Sequence, residues 1–266
     1  MMETLKVLTG YYATYNEDNR LRSKHGMVEF LTTMRYIEKY LRPGMQILEI
    51  GAATGRYSHA LAQQGYEVDA VELVQHNIDI FQQKTQPGER VRIFQGNAKD
   101  LHMLQDDSYD IVLLLGPMYH LFTVEEQKQA LTEALRVTKP GGVLFAAYCG
   151  NDATIVQYCF GRGMLREKRY QELVDMQTFK ASSDPAELFQ LYRREDIDAL
   201  MEGLGTERLH YVGADMATHY MRSTIDEMDE ELYEMYLRYH FTVCERCDMV
   251  GTSHHILDVQ RKGMKV

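Results

Sequence analysis

One stretch constrains this chain more than any other: Gln46-Ile47-Leu48-Glu49-Ile50-Gly51-Ala52-Ala53-Thr54-Gly55-Arg56-Tyr57. An apolar run closes on an acidic residue, two glycines stand four apart, and a helical pattern runs from Ser58 to Gln64. That order predicts a strand, a tight turn and a helix. Such a turn offers backbone N–H groups and a helix N-terminus to a bound ligand. Gly51 is expected to turn the main chain sharply, and a side chain at Gly51 or Gly55 to stand where that ligand would lie. A dinucleotide cradle needs G-x-G-x-x-G after the strand. Ala53 occupies the place of its second glycine, so that cradle is poorly matched.

The downstream pattern extends the reading. Tyr66 to Glu72 alternates like a strand and ends in an acid. In doubly wound sheets an acid roughly 20 residues past the first loop closes the second strand and accepts from ribose hydroxyls. Glu72 is the candidate for that clamp. Val91 to Gln95 predicts a third strand, leading into Gly96-Asn97-Ala98-Lys99-Asp100-Leu101. Ile111 to Leu115 is continuously apolar, as suits a central parallel strand covered on both faces. It breaks at Gly116-Pro117, since proline has no N–H to offer a sheet. Ligands of open α/β sheets sit outside the carboxyl ends of the strands, which directs attention to Met118, Tyr119 and His120. A helix over Glu125 to Arg136, a Lys139-Pro140-Gly141-Gly142 turn and a strand over Val143 to Tyr148 follow.

Taken together, E-x-G-x-x-x-G, "D-x-V-x-x-L" from Asp110 and "L-R-V-T-K-P-G-G-V-L" from Leu135 resemble the class I S-adenosylmethionine-dependent methyltransferase superfamily, over about Arg42 to Tyr148. The Gly-Pro-Met-Tyr-His segment resembles its small-molecule, ubiquinone/menaquinone methyltransferase-like branch. The tail around Cys244 to Lys262 resembles an uncharacterised bacterial subgroup. The resemblance implies an α/β fold: a doubly wound, seven-stranded, mostly parallel Rossmann-like sheet with an antiparallel last strand and a helical cap. It implies S-adenosylmethionine as cofactor and S-adenosylhomocysteine as product. Cofactor contacts are then expected from Tyr15, Arg20, Glu49, Gly51, Ala52, Gly55, Glu72, Leu73, Asn97, Ala98, Leu115 and Gly116. Tyr15 and Arg20 would belong to a segment folded over the cofactor. At Asn97 the family usually carries Asp contacting the adenine amino group; an amide offers that base both a donor and an acceptor.

The reaction expected is in-line transfer of a methyl group to a small-molecule acceptor, with positioning as the protein's main task. His120 is the candidate general base, because imidazole titrates near neutral pH; Tyr119 would shape the acceptor pocket or donate to it. Rival readings are an RNA or protein methyltransferase on the same fold, a non-catalytic cofactor-binding protein, and a dinucleotide oxidoreductase.

Four segments are expected: an N-terminal helical lid segment (1–41), helical from Met27 to Leu41; a cofactor-binding core (42–149); a helical cap insertion (150–191), with helices over Asn151 to Gly163 and Arg166 to Met176; and a C-terminal half of the core sheet (192–266). The last would hold a helix over Arg193 to Gly203, strand six over Glu207 to Val212, a helix over Met228 to Phe241 and strand seven over His254 to Gln260. A formal charge of −10 argues against a general nucleic-acid binder, which needs a basic face. The sequence has neither a signal-peptide core nor a run approaching the ~20 apolar residues of a membrane span. The four cysteines read as reduced thiols of a cytoplasmic enzyme. A homodimer is the assembly considered, and no membrane partner is expected. Cys244-x-x-Cys247 near His254 and His255 has the ligand types for zinc. Successive strand residues point to opposite faces, however, so at most one of the two histidines could join both thiols. No metal is expected.

Overall fold

The structure is a computed structural model that describes residues 7–12, 21–183, 186 and 189–264. Tyr15 and Arg20 lie outside the described residues.

Four parallel strands, β1 (Gln46–Ile50), β2 (Glu67–Glu72), β3 (Val91–Gln95) and β4 (Tyr109–Leu114), form one half of the sheet. Ile47, Leu48 and Ile50 of β1 and Ile111 to Leu114 of β4 have no exposed surface. Burial on both faces explains why these runs are apolar throughout rather than alternating. β5 (Thr138–Gly150) continues in parallel beside β4. It starts earlier than its apolar run suggests: Thr138 pairs with Tyr109, and the register then jumps to Ile111 opposite Val143. The extra residues, with Gly141 at φ +77°, form a bulge, so Lys139 to Gly142 kinks the strand where a separate turn was expected.

Beyond β5 the direction reverses. β8 (His255–Lys262) lies antiparallel between β5 and β7 (Thr206–Gly213). The sheet order is β3-β2-β1-β4-β5-β8-β7. An eighth strand not foreseen in the sequence, the two-residue β6 (Leu191–Tyr192), pairs with the end of β5.

Helices cover both faces: α1 (Lys24–Tyr40), α2 (Arg56–Gln63), α3 (Gln75–Lys84), α4 (Val124–Val137), α5 (Arg194–Met201) and α6 (Glu230–Val243). Caps fix several starts. Ser23, Thr123 and Asp229 accept from the N–H groups of Gly26, Glu126 and Leu232, each such bond worth about 1 kcal/mol. The segment after β5 is less regular than its pattern suggested. In place of two long helices it has a four-residue helix (Asn151–Thr154), a π-turn (Ile155–Phe160), a 3-10 turn (Met164–Arg166) and a short helix (Lys168–Leu173). Gly161 and the left-handed Gly163 (φ +69°) interrupt it, as glycine readily does. Among the described residues no helix is long and apolar enough to cross a membrane.

Candidate functional site

The carboxyl ends of β1, β2 and β4 meet at the turn after β1. The amides of Gly51 and Ala52 donate to Val71 O, at 2.7 and 3.1 Å, which ties this turn to β2. Gly51 is left-handed (φ +76°), and so is Ala53 (φ +46°). A left-handed alanine carries a strain of roughly 1–2 kcal/mol, which the packing of the turn sustains.

Gly55 is needed for a reason other than the one inferred from the sequence, and Gly51, which lines both cavities, is held by packing as well. A Cβ on Gly51 would stand 2.6 Å from Pro117 Cδ, and one on Gly55 2.5 Å from the Phe81 ring and 2.7 Å from His59. Both collisions are with the protein itself. At these positions side chains are excluded by packing between the turn and its neighbours, and Gly55 lines neither of the cavities described below.

Glu49 is also hidden. It is 2% exposed, and its carboxylate accepts from the Ser58 amide at 2.9 Å and from the Ser58 hydroxyl. Burial pushes its pKa up to about 8 against the lowering effect of those bonds. It braces the start of α2 from beneath the turn. Ala52 is 3% exposed and likewise faces away from both cavities.

Two adjoining cavities open at the strand ends. The smaller, about 230 Å³, is a cleft walled by Gly51, Ala53, Glu72, Leu73, Asn97 and Ala98, with Gly116, Lys99 and His120 further along. Glu72 closes it. One carboxylate oxygen accepts from the Ala53 amide at 2.9 Å, the other from the Val74 amide at 2.9 Å and the Asn77 amide group at 3.3 Å. Burial raises the Glu72 pKa while those donors oppose the rise. The arrangement aims an acceptor-rich group, held by backbone, into the cleft. Asn97 Oδ1 accepts from the Lys99 amide at 3.0 Å, so the group Asn97 has to offer a ligand is its NH₂ donor. His120 sits here too, its Nε2 3.0 Å from Tyr12 Oη.

The larger cavity, about 480 Å³, shares Tyr12, Gly51, Ala53 and Gly116 with the cleft. A Cβ at Gly116 would meet nothing nearer than Gly51 O at 3.6 Å; bare backbone there keeps the passage between the two cavities wide. Leu115, grouped with the cofactor contacts on sequence, faces this cavity, as does Tyr119. Ile155, Tyr158, Cys159, Met164, Leu173 and Val174 from the segment after β5 line most of one side. The β4 turn is fastened from behind: Tyr192 Oη donates to Met118 O at 2.8 Å and the Gln190 amide to Tyr119 O at 2.6 Å.

The far wall is polar. Asp215 lies just past β7, and its Oδ1 accepts from the Ser253 hydroxyl (2.7 Å) and the amides of His254 (2.9 Å) and His255 (3.1 Å). Its Oδ2 lies 2.7 Å from His255 Nδ1. Burial alone would raise the Asp215 pKa, but His255 and His219 hold it well below the usual carboxylate range. His254 stacks on His219 at 3.7 Å between ring centroids. Burial, then the neighbouring His219, pushes the His254 pKa down to about 2, so this ring is neutral. Gly150 packs against the same corner; a Cβ there would fall 2.2 Å from Ser253 O.

The sequence reading gave His254 and His255 opposite faces of a strand. β8 begins only at His255, however, and both rings line the one cavity. Cys244 is buried beside Tyr36 Oη (3.4 Å) while Cys247 is exposed. Among the described residues the His/Cys/Asp/Glu group close enough to share an ion is Asp215, His219 and His255, which includes neither cysteine. The sequence reading missed Asp215, His219 and Arg222, although Asp215-x-x-x-His219 was a signal available to it.

The residues of the cleft suit S-adenosylmethionine, the cofactor implied by the fold. Glu72 presents acceptors for a ribose diol, Asn97 a donor for a base edge, and Gly51 and Gly116 bare backbone where the cleft passes into the larger cavity.

Comparison with known proteins agrees. Residues 48–146 match the family model described as a methyltransferase domain. The demethylmenaquinone methyltransferase of Clavibacter sepedonicus is 35% identical over 99 residues, 37% of this chain and 39% of that protein. The cypemycin N-terminal methyltransferase of a Streptomyces species is 30% identical over 146 residues, 52% of this chain and 56% of that one. The chain thus spans between two fifths and a little over half the length of these relatives. In fold it is similar to a Thermotoga maritima crystal structure described as a methyltransferase, possible histamine N-methyltransferase. That likeness has a TM-score of 0.58 at 18% identity and covers 97% of this chain and 99% of the other. By its matched domain and its sheet, the chain carries a methyltransferase domain over residues 48–146 on the fold of solved S-adenosylmethionine-dependent methyltransferases.

Proposed function

We propose that this chain transfers the methyl group of S-adenosylmethionine to a small-molecule acceptor held in the larger cavity. One observation carries the reading: a cleft ending in a backbone-held carboxylate opens, past Gly51 and Gly116, into a separate and mostly apolar chamber. The cofactor, when bound, supplies an electrophilic methyl carbon. Everything else falls to the chain.

In this reading Glu72 accepts from the ribose hydroxyls, and Asn97 donates to a ring nitrogen of adenine, with Leu73 and Ala98 flanking the base. Gly51 and Gly116 let the amino-acid end pass close to backbone, and Glu49 holds the turn from below. Tyr15 and Arg20 are proposed as lid contacts. Tyr119 shapes the acceptor chamber, and His120 is the acid–base candidate offered by the β4 turn. Holding donor and acceptor in near-attack geometry supplies several kcal/mol of the barrier reduction, on the order of 7–11 in well-oriented systems.

The chamber's lining of Tyr, Phe, Leu, Ile and Met side chains supports a compact, largely apolar acceptor with a polar end. The excess of 39 acidic over 29 basic residues supports an acceptor other than nucleic acid, and a cytoplasmic setting and a homodimer belong to the same proposal. The deciding experiment is calorimetric titration with S-adenosylmethionine and S-adenosylhomocysteine, on wild type and Glu72→Ala. Binding of both, lost in the variant, is expected. Binding of neither, or stabilisation by NAD instead, would sink the proposal.

A further inference from the structure

We propose that the proton acceptor of this site is His255, held by Asp215 and Glu29, rather than His120. The proposal rests on the methyltransferase reading above and adds to it the residue that activates the acceptor.

Location comes first. His120 lines the cofactor cleft and is engaged by Tyr12 at 3.0 Å. His255 lines the chamber, its ring centroid 6.0 Å from that of Tyr119 on the β4 turn, where strand-end chemistry is expected. A base must come within hydrogen-bond reach of the proton it removes, and the acceptor occupies the chamber.

Charge points the same way. His255 Nδ1 faces two carboxylates, Asp215 Oδ2 at 2.7 Å and Glu29 Oε2 at 3.3 Å. Both carboxylates are buried, so their field at the ring is weakly screened. A hydrogen bond from Nδ1–H to a carboxylate fixes the tautomer in which Nε2 is basic, and it stabilises the imidazolium that forms. The carboxylate is itself fixed, because Asp215 Oδ1 takes two backbone amides and a hydroxyl. Register positions the ring: His255 is the first residue of β8 and pairs with Cys149 near the end of β5.

The neighbouring groups complete the device. His254 stays neutral and stacks on His219, and the Arg222 guanidinium lies against His219. That guanidinium also argues against a metal here. The ligand atoms of Asp215, His219 and His255 fall within 4.8 Å of one another, but a fixed positive charge beside one of them opposes a cation.

In the step proposed, the acceptor's O–H or N–H proton passes to His255 Nε2 while its heteroatom bonds to the methyl carbon. The carbon–sulfur bond breaks with its electron pair left on sulfur. Positive charge thus moves from the sulfonium to an imidazolium that two carboxylates stabilise.

The test uses 4-nitrophenol, which ionises near neutral pH and whose phenolate is yellow. The full chain, loaded with S-adenosylhomocysteine, is mixed with the probe at a pH where the free phenol is mostly colourless. A rise in phenolate colour of about tenfold is expected, equivalent to one pKa unit in the bound probe. The rise should vanish in H255Q and fall in D215N. Probe that fails to bind, binds without colour, or stays coloured in H255Q would overturn the assignment. So would stoichiometric zinc uptake that D215N abolishes, which would make the cluster a metal centre. S-Adenosylhomocysteine calorimetry on the same samples reports the cofactor reading separately, so failure of one is distinguishable from failure of the other.

Discussion

The cleft and the chamber are neighbours built on opposite principles. Cleft contacts come from backbone and from residues within a few positions of a strand end, as at Gly51, Glu72 and Asn97. Each is placed by one βα turn, so its position follows from local sequence. The chamber's polar wall takes Asp215 from beyond β7, His255 from the start of β8 and Glu29 from α1. Only the finished sheet brings those three together. In the proposed reading the cofactor is met by local geometry and the acceptor by long-range assembly.

That contrast can be broken experimentally. The largest effect is expected at Glu72→Ala. Two charge-assisted bonds to a ribose, at roughly 1.5–3 kcal/mol each, imply at least a hundredfold loss of cofactor affinity, on the order of 3 kcal/mol, read by calorimetry. The chamber should be untouched, so unchanged 4-nitrophenol binding would uphold the separation. Gly55→Ala comes next. A left-handed φ of +85° and a Cβ 2.5 Å from Phe81 predict a loss of about 2 kcal/mol in stability, measured by denaturant titration. A neutral outcome would mean that α3 gives way easily.

Tyr158→Ala is expected to weaken binding of the chamber probe about tenfold, near 1.4 kcal/mol, with cofactor affinity unchanged. Equal losses at both sites would show that the cavities behave as one. Glu49 gives a graded effect, at most about 1.4 kcal/mol for each pH unit. Its folded pKa of about 8 stands above the ordinary 4.5, so the folded state binds more protons than the unfolded chain between those values. Stability is full below 4.5 and falls as pH rises towards 8. Melting temperature followed across that window should decline less steeply in Glu49→Gln.

How far the sequence could be read follows the same division. β3 spans Val91–Gln95, as predicted, and the strand after Asp110 ends just before Gly116-Pro117 removes a donor. Periodicity and glycine placement report local backbone states, and the first half of the sheet consists of little else. The exact role of a glycine was less legible: Gly55 looked like space for a ligand but is space for Phe81 and His59. The segment after β5 looked helical because apolar residues recur there, yet Gly161 and Gly163 break it into short turns that serve as cavity wall. Asp215 offers one local signal, His219 four residues on, but its other partners are remote in sequence. They arrive through the antiparallel pairing of β7 with β8, and no short window contains both strands.

Gly150 carries a consequence for how such a site could change over evolutionary time. With Ser253 O only 2.2 Å from where its Cβ would stand, that corner of the chamber accepts no substitution without moving backbone that also anchors Asp215 and His255. Mutational drift is therefore channelled to the opposite wall. There, Ile155, Tyr158, Met164 and Leu173 sit on short turns outside the sheet ladder and can be exchanged one at a time. Descendants of this chain would be expected to acquire new acceptors by remodelling that wall while inheriting the histidine corner unaltered.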